Sequence, residues 1–246
     1  MISISAVRYL NTLPFIYGIE NSTLYKEIEL SLDFPAVCAN KLLQGDVDLA
    51  LVPTACIEDI KNHNIISDYC IGSDGSVETV SLYSNVPIFE VETIFLDYQS
   101  RTSIELLKIL LRDYWHISPK LIQAKVGFEE EVMNKDAALI IGDRAFKYNN
   151  YYKYIYDLSL AWKQLTGLPF VFAVWVANKN LSNKFIDEFN LALQSGVDNI
   201  EEVLKLQKLA SIDCKDPANY LFNKISYILD SQKKKAMDLF LEKIVE

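Results

Sequence analysis

The polar residues best placed to do chemistry form one run between a short apolar segment and an amphipathic one: Ser100, Arg101, Thr102 and Ser103. The amphipathic segment predicts a helix, whose first turn has free backbone N–H groups and the positive end of the helix dipole. Hydroxyl groups and a guanidinium at such a turn suit the binding of a carboxylate or a phosphate. Thr102 and Glu105 also have capping-box spacing, so a purely structural helix start stays open as the alternative.

Similar polar junctions recur where other apolar runs end. Asn11 follows the first run, and Gly142 and Asp143 follow residues 137–141. In open α/β sheets, ligands bind beyond the carboxyl ends of strands, where helix N-termini converge, so these three residues are candidate ligand contacts. Asn11 suits an N-cap equally well. Helix capping is at least as good an interpretation of Asp143 as a role as catalytic base.

The composition is that of a globular, acidic protein. Of the 246 residues, 50% are hydrophobic and 12% aromatic, which excludes a disordered chain. The net charge of -9 argues against nucleic-acid binding through a broad basic face, but it is compatible with a local positive site for an anionic small molecule. Arginine, the better partner for carboxylates, occurs only at Arg8, Arg101, Arg112 and Arg144.

Cysteine and histidine usage narrows the chemistry further. The four cysteines show no CxxC or zinc-type spacing, so we expect reduced thiols in a cytoplasmic protein. Only His63 and His116 are present, which excludes a histidine-rich metal site and argues against a serine-type triad. The chain has no glycine-rich nucleotide motif, and no apolar run approaches the roughly 20 residues that span a membrane. We therefore expect no metal, no cofactor and no membrane partner.

The elements that must position these residues alternate between strand and helix. The patterns predict strands at residues 2–9, 28–34, 47–52, 78–84, 93–96, 137–141 and 169–177. They predict helices at residues 12–20, 36–44 and 103–114, and a further helix start at Pro53. The alternation in the first third of the chain favours a largely parallel sheet. The tyrosine-rich segment 148–156 reads as helix and loop, and from Ser182 onward only helices are predicted.

The economical arrangement of these elements is two α/β lobes, one inserted in the other. We expect residues 1–88 and 173–246 to form lobe I and residues 89–172 to form lobe II. Crossing strands near residues 83–85 and 171–177 would join them. The polar junctions would then line a ligand cleft between the two lobes.

Five segments of this chain, in unchanged order, resemble the chorismate dehydratases of the futalosine route to menaquinone. They are RYLNTLPF (8–15), GDVDLALVP (45–53), SRTS (100–103), IGD (141–143) and WKQLTGLPFVFAVW (162–175). They span about the first 176 residues, and the C-terminal helices add little to the resemblance.

The resemblance implies the α/β, two-lobed fold of type II periplasmic binding proteins, with mixed sheets flanked by helices. It also implies dehydration of chorismate to 3-[(1-carboxyvinyl)oxy]benzoate, a cytoplasmic reaction without a cofactor. We assign substrate contacts to eight residues: Thr79, Ser84, Ser100, Arg101, Thr102, Ser103, Gly142 and Asp143. Asn11 is assigned the catalytic role of positioning the reacting groups. The base stays open between Asp143 and the enolpyruvyl carboxylate of the substrate, the second of which we favour.

Two short segments depart from the family pattern near the expected cleft rim. Glu78 and Thr79 stand where we expect a basic or small residue followed by serine, and Tyr98 and Gln99 stand where small hydroxyl residues are usual before the SRTS run. Two other functions stay open: an anionic-solute-binding protein without catalysis, and the 1,4-dihydroxy-6-naphthoate synthase of the same pathway. The histidine expected of that synthase has no counterpart between Gly142 and Trp175. The oligomeric state is not predicted.

Overall fold

Two β-sheets carry the fold in the computed structural model, which describes residues 1–130, 132–206, 209 and 211–246. In chain order the strands are β1 (Ile2–Val7), β2 (Ile28–Asp33), β3 (Leu49–Pro53), β4 (Asn64–Ser73), β5 (Val80–Ser84), β6 (Thr93–Leu96), β7 (Lys120–Gln123), β8 (Asp136–Ile141), β9 (Tyr154–Asp157), β10 (Phe170–Ala177) and β11 (Ser226–Ile228). The helices are α1 (Leu13–Glu20), α2 (Pro35–Gln44), α3 (Thr102–Asp113), α4 (Ala145–Tyr148), α5 (Leu158–Thr166), α6 (Asn183–Asp198), α7 (Ile200–Val203), α8 (Pro217–Asn219) and α9 (Ser231–Val245).

Both sheets mix parallel and antiparallel pairs. The first sheet has the order β11-β4-β10-β3-β1-β2, and the second has the order β7-β6-β8-β5-β9. In the first sheet β1 pairs parallel with β2 and β3, as the strand–helix alternation predicts, whereas β10 runs antiparallel to β3 and β4. In the second sheet β6 pairs parallel with β7 and β8, and β5 runs antiparallel to β8 and β9. The predicted α/β architecture with mixed sheets is confirmed.

Strands β3 and β10 form the centre of the first sheet. Every residue of β3 is buried, and β10 is buried except at half-buried Phe172. Such strands read as continuous apolar runs because both of their faces are covered. The Phe170 ring lies 5.4 Å from the Trp162 ring and 5.0 Å from the Phe240 ring, centroid to centroid, so these aromatic residues belong to the core.

The chain crosses between the sheets earlier than predicted on both passes. Strand β5, which the prediction placed in lobe I, pairs with β8 and β9 of the second sheet. Strand β10 lies wholly in the first sheet, although the predicted boundary cut through it. A strand bonds to one sheet along its length, so the connections fall in residues 74–79 and 167–169, between strands. The division into two lobes stays a proposal, with its crossings moved to these segments.

Some predicted elements are wrong. Strand β9 lies in the tyrosine-rich segment that was assigned to helix and loop, and β11 lies in the tail that was predicted to be helical. The predicted helix at Pro53 is only a short turn, Thr54–Cys56. Strand β11 has three residues and takes its backbone partners from β4, so tertiary pairing rather than a local pattern creates it. In the part of the chain that is described, no helix is long and apolar enough to cross a membrane.

Candidate active site

Residues from both sheets line a pocket with an empty volume of about 570 Å³, part of which is open to solvent. Strands β1, β3 and β10 contribute to one wall, and β5 and β8 to the other. The polar side chains in the lining belong to Tyr9, Asn11, Thr12, Thr79, Ser100, Arg101, Thr102 and Ser103. Because all of these except Arg101 are neutral, we call it the neutral pocket.

Seven of the nine residues predicted for the site line the neutral pocket. They are Asn11, Thr79, Ser100, Arg101, Thr102, Ser103 and Gly142. Four of the seven come from a single loop and the helix start that follows it, so one local sequence pattern accounts for this part of the pocket lining.

The start of α3 places hydroxyl groups and backbone N–H groups against the pocket. The Ser100 hydroxyl accepts a hydrogen bond of 3.1 Å from the Ser103 N–H, and both residues are buried. Arg101 is exposed at the rim. The capping-box alternative is wrong, because Thr102 is the first residue of the helix rather than its cap, and Glu105 pairs with Lys108.

Thr102 links the helix start to the first sheet. Its hydroxyl accepts from the Ala55 N–H at 3.2 Å and donates to the Phe172 carbonyl at 3.2 Å. Both partners belong to segments next to or within the first sheet, whereas α3 follows β6 of the second sheet. The Thr102 hydroxyl is therefore engaged in holding the two walls of the pocket together.

Asn11 lies in the short helical turn Leu10–Thr12 that follows β1. Its side-chain oxygen accepts from the Thr12 hydroxyl at 3.1 Å. Thr12, not Asn11, is the residue before α1, and no side-chain capping bond is made there. The N-cap interpretation of Asn11 is therefore wrong, and its amide lines the pocket instead.

Gly142 lets an aromatic ring pack directly on the backbone. Its φ of +68° suits glycine, and a Cβ atom there would lie 2.5 Å from Cζ of Tyr9. The Tyr9 hydroxyl donates to Oε1 of Gln99 at 2.5 Å, and burial raises the pKa of Tyr9 well above its ordinary value. Tyr9 is thus a neutral residue of the pocket wall, and its hydroxyl proton is engaged by Gln99. It was not among the predicted site residues, although it lies two residues before Asn11.

Asp143 does not line the neutral pocket. Its two carboxylate oxygens accept from the Leu10 N–H at 3.0 and 3.1 Å, and its side chain lies in a neighbouring cavity with Arg8. Burial raises the pKa of Asp143 to about 6, against the lowering effects of the Leu10 N–H and Arg8. Asp143 therefore caps a helical turn, as the alternative interpretation proposed. The capped turn is the one that begins at Leu10, 133 residues away, and not the turn in which Asp143 itself lies.

The same neighbouring cavity borders a group of three charged residues, the buried Asp97 and Glu129 and the half-buried Arg144, which we call the ionic cluster. Arg144 donates to Oδ2 of Asp97 at 2.5 Å and to the carboxylate of Glu129. Asp97 also accepts from the N–H groups of Gln99 and Ile141. Burial raises the pKa of Asp97, with Arg144 as the main opposing influence. Because its charge is engaged here, Arg144 is not a candidate ligand contact.

Ser84 lies away from the site. It is at the far end of β5, where it is paired with Ala137, whereas Val80 at the near end is paired with Ile141 beside the pocket. The Ser84 hydroxyl donates to the Asp136 carbonyl at 3.4 Å and accepts from the Val86 N–H at 3.1 Å. Its prediction as a substrate contact is therefore wrong.

Of the residues that depart from the family pattern, Thr79 lines the neutral pocket, whereas Glu78 and Tyr98 do not. The Glu78 carboxylate pairs with Lys224 at 2.8 Å, so its charge is compensated outside the lining. The Tyr98 ring lies under the Arg144 guanidinium at 5.1 Å and borders the neighbouring cavity.

The neutral pocket offers hydrogen-bond donors but no ordinary base. Among the described residues that line it, none is a carboxylate, an imidazole or an amine. The described part of the chain also holds no group of three His, Cys, Asp or Glu side chains that could bind a metal ion. The arrangement can bind an anion through hydroxyl and N–H groups, with Arg101 as the one cation of the described lining.

Comparison of the sequence with known proteins gives one family. The profile of the menaquinone biosynthesis family matches residues 2–246. The chain is 27% identical to the chorismate dehydratase of Thermus thermophilus over 198 residues, which cover 70% of each chain. It is 32% identical to the chorismate dehydratase of Campylobacter jejuni over 117 residues, which cover 46% of this chain and 51% of that one.

Comparison with solved structures confirms the periplasmic-binding-protein-like fold. A protein of Archaeoglobus fulgidus superposes with a TM-score of 0.76 at 16% identity, over 98% of this chain and 96% of that one. A Candida albicans protein described as having the generic periplasmic binding protein fold superposes with a TM-score of 0.69 at 14% identity, over 100% and 90%. The aliphatic sulphonate binding protein of Escherichia coli gives 0.62 at 17% identity, over 99% and 87%. At such identities the similarity concerns the fold alone.

Proposed function

The chain belongs to the menaquinone biosynthesis family, and we propose that it is a chorismate dehydratase, which converts chorismate to 3-[(1-carboxyvinyl)oxy]benzoate on the futalosine route. The observation that carries the proposal is the convergence of Asn11 and the Ser100–Ser103 helix start on one pocket without a fixed carboxylate. The two curated relatives named above support the same substrate. Chorismate is a dicarboxylate, and a pocket free of fixed negative charge suits it.

The reaction removes the C3 proton and the C4 hydroxyl, which makes the ring aromatic. The barrier is kinetic, because the C3–H is weakly acidic. Negative charge that builds at C3 delocalises through the ring double bond to the ring carboxylate. Donors that bind this carboxylate more tightly as its charge grows stabilise the transition state. The Ser100 and Ser103 hydroxyls and the N-terminal end of α3 suit this role, at about 1.5–3 kcal/mol for each charge-assisted hydrogen bond.

The base in this proposal is the enolpyruvyl carboxylate of the substrate. It takes the C3 proton, and the carboxylic acid so formed returns a proton to the departing C4 hydroxyl, which leaves as water. The geometry of Asp143 supports this choice, because its carboxylate is bound to Leu10 outside the pocket. Asn11 positions the reacting groups through its amide, and Arg101 at the rim suits the second carboxylate.

Incubation of the purified protein with chorismate, followed by chromatography and mass measurement, tests the proposal. Loss of one water with formation of an aromatic enolpyruvyl ether is the expected result. Intact chorismate together with ligand-induced thermal stabilisation would instead indicate an anionic-solute-binding protein. No turnover and no stabilisation would exclude chorismate as the ligand. The cytoplasmic location and the independence from cofactors stay predictions.

A further inference from the structure

We propose that Asp157 is a positioning residue of this site. Its carboxylate holds the segment of residues 74–79, which connects the two sheets, and thereby keeps Thr79 and Gly142 in place in the pocket wall. Asp157 is not itself part of the described pocket lining, so it acts through this connecting segment. The proposal rests on the proposed function only for its kinetic consequences.

Four donors converge on the Asp157 carboxylate. Its Oδ2 accepts from the Ser76 hydroxyl at 2.8 Å, from the Val77 N–H at 2.9 Å and from the Glu78 N–H at 2.7 Å. Its Oδ1 accepts from the Leu160 N–H at 3.0 Å, which caps α5. Hydrogen bonds to an ionised carboxylate are shorter and stronger than those between neutral groups. One oxygen therefore holds the connecting segment, and the other holds the helix.

The connecting segment has a backbone conformation that needs support. Gly75 has a φ of +119°, and Glu78 has a φ of +66°. Positive φ is uncommon for residues other than glycine, and such a conformation persists only where neighbouring groups hold it. At Glu78 these groups are Asp157, which binds the backbone N–H, and Lys224, which pairs with the carboxylate at 2.8 Å.

The backbone conformation at Glu78 sets the direction of the residues on either side, both of which line the neutral pocket. Val77 and Thr79 are each 1% exposed. The Thr79 carbonyl accepts from the Gly142 N–H at 2.9 Å, so the segment also holds the glycine on which the Tyr9 ring packs. A change in the backbone at Glu78 therefore reaches two lining residues of the segment and a third that follows β8.

The start of the connecting segment is held separately. The Ser73 hydroxyl at the end of β4 lies 2.5 Å from the Ser159 hydroxyl of α5, and both side chains are buried. Lys163, one turn further along α5, pairs with Asp74. Loss of the Asp157 carboxylate alone thus releases the later part of the segment while its start stays attached to α5. We therefore expect a variant without this carboxylate to fold.

The test uses Asp157→Ser. Serine is about as good an N-cap as aspartate, so the cap of α5 is kept, whereas one oxygen on a shorter side chain cannot also bind the connecting segment. We expect kcat on chorismate to fall at least about tenfold, because small displacements of lining groups slow a reaction strongly. KM should stay within about threefold, because the groups that bind the substrate carboxylates in the proposed function, Ser100, Arg101 and Ser103, belong to another part of the chain.

Ser182→Ala is the matched control for a loss of stability. The Ser182 hydroxyl caps α6 by accepting from the Phe185 N–H at 3.2 Å, and it is not part of the described pocket lining. This variant should lose stability and keep both kinetic constants. Unchanged kcat in Asp157→Ser, or an equal loss of kcat in the two variants at a temperature where both are folded, would overturn the proposal.

The NMR signal of the Gly142 N–H gives a readout without turnover. In protein labelled with ¹³C at the isoleucine carbonyls and with ¹⁵N at glycine, only Gly72 and Gly142 give coupled signals, because only these glycines follow an isoleucine. Ile141→Val removes the Gly142 signal and so assigns it. In Asp157→Ser this signal should shift and its N–H should exchange with solvent faster, because the Thr79 carbonyl that binds it moves.

This readout also separates the proposal from the proposed function. A Gly142 signal that stays in place in Asp157→Ser, or that moves equally in Ser182→Ala, would overturn the positioning role. A shift confined to Asp157→Ser, in a protein whose wild type does not convert chorismate, would support the positioning role and refute only the proposed function.

Discussion

Tyr9 lines both the neutral pocket and the neighbouring cavity, which borders the ionic cluster. The neutral pocket and the ionic cluster use their polar residues in opposite ways. In the ionic cluster, every charge is engaged within the protein: Asp97 binds two backbone N–H groups and Arg144, which also binds Glu129. In the neutral pocket, hydroxyl and amide groups line open space and one exposed arginine lies at the rim.

The difference shows how a chain of net charge -9 can offer a site for an anion. Carboxylates near the site are bound to backbone N–H groups or to Arg144 and build the loops that follow the strands. The groups that remain for a ligand are neutral donors and Arg101, so no carboxylate of the described lining repels an anion. Neighbouring residues thus have separate roles: the carboxylates stabilise the structure, and the pocket-lining groups are available to a ligand.

Removal of the cation should break the ionic cluster. Arg144→Met leaves Asp97 and Glu129 buried without their partner, so we expect a loss of about 3–5 kcal/mol in the free energy of unfolding. Chemical denaturation measures this loss. Lys135→Met, which removes an exposed pair with Glu92, is the matched control and should leave the transition in place. Equal transitions for the two variants would refute the structural role of the ionic cluster.

Removal of one neutral donor should affect rate and not folding. Asn11→Ala should lower kcat on chorismate about 100- to 1,000-fold, the usual effect of losing a group that acts in the transition state. The free energy of unfolding should fall by less than about 1 kcal/mol, because the Asn11 side chain accepts a hydrogen bond from the neighbouring Thr12 hydroxyl and lies at the pocket surface. A rate within threefold of the wild type would remove Asn11 from the mechanism.

The contribution of Asp143 to the stability of the folded protein should depend on pH. Its folded-state pKa of about 6 lies above the ordinary value of 3.8, so the folded chain takes up this proton more readily than the unfolded chain. Protonation therefore adds stability at low pH, and this contribution is lost as pH rises through 6. The stability of wild type relative to Asp143→Asn should fall between pH 4 and pH 7, by at most about 3 kcal/mol. A difference that is constant or rises with pH would contradict this account.

The smallest effect is expected at Ser84. Ser84→Ala removes a hydroxyl that forms hydrogen bonds with Asp136 and Val86 at the far end of β5. The free energy of unfolding should therefore fall by about 1 kcal/mol. The turnover of chorismate should not change, whereas Ser100→Ala should lower it. Equal losses of activity in these two variants would show that the pocket boundary drawn here is incorrect.

Local patterns predicted most of the fold and most of the polar residues that line the neutral pocket. The run from Ser100 to Ser103 and the junctions at Asn11 and Gly142 were found because a strand end and a helix start lie within a few residues of each other. The strand–helix alternation predicted the parallel pairs for the same reason.

The failures concern partners that are distant in sequence. Ser84 was misplaced because the end of β5 that faces the pocket depends on its antiparallel pairing with β8. The Asp143 carboxylate binds Leu10 across 133 residues, and Tyr220 binds Thr79 across 141. Periodicity along the chain carries no information on such contacts, and a three-residue edge strand such as β11 leaves no pattern at all.

The central claim is that no described residue of the neutral pocket acts as the base and that the Asp143 carboxylate has a structural role. The most direct test is the pH dependence of kcat on chorismate, between pH 5 and pH 9, for wild type and Asp143→Asn. We predict profiles that coincide within about threefold, with no inflection near 6 that depends on Asp143. A loss of more than about 100-fold in the variant, or an inflection near 6 that disappears with the carboxylate, would make Asp143 the base and contradict the account.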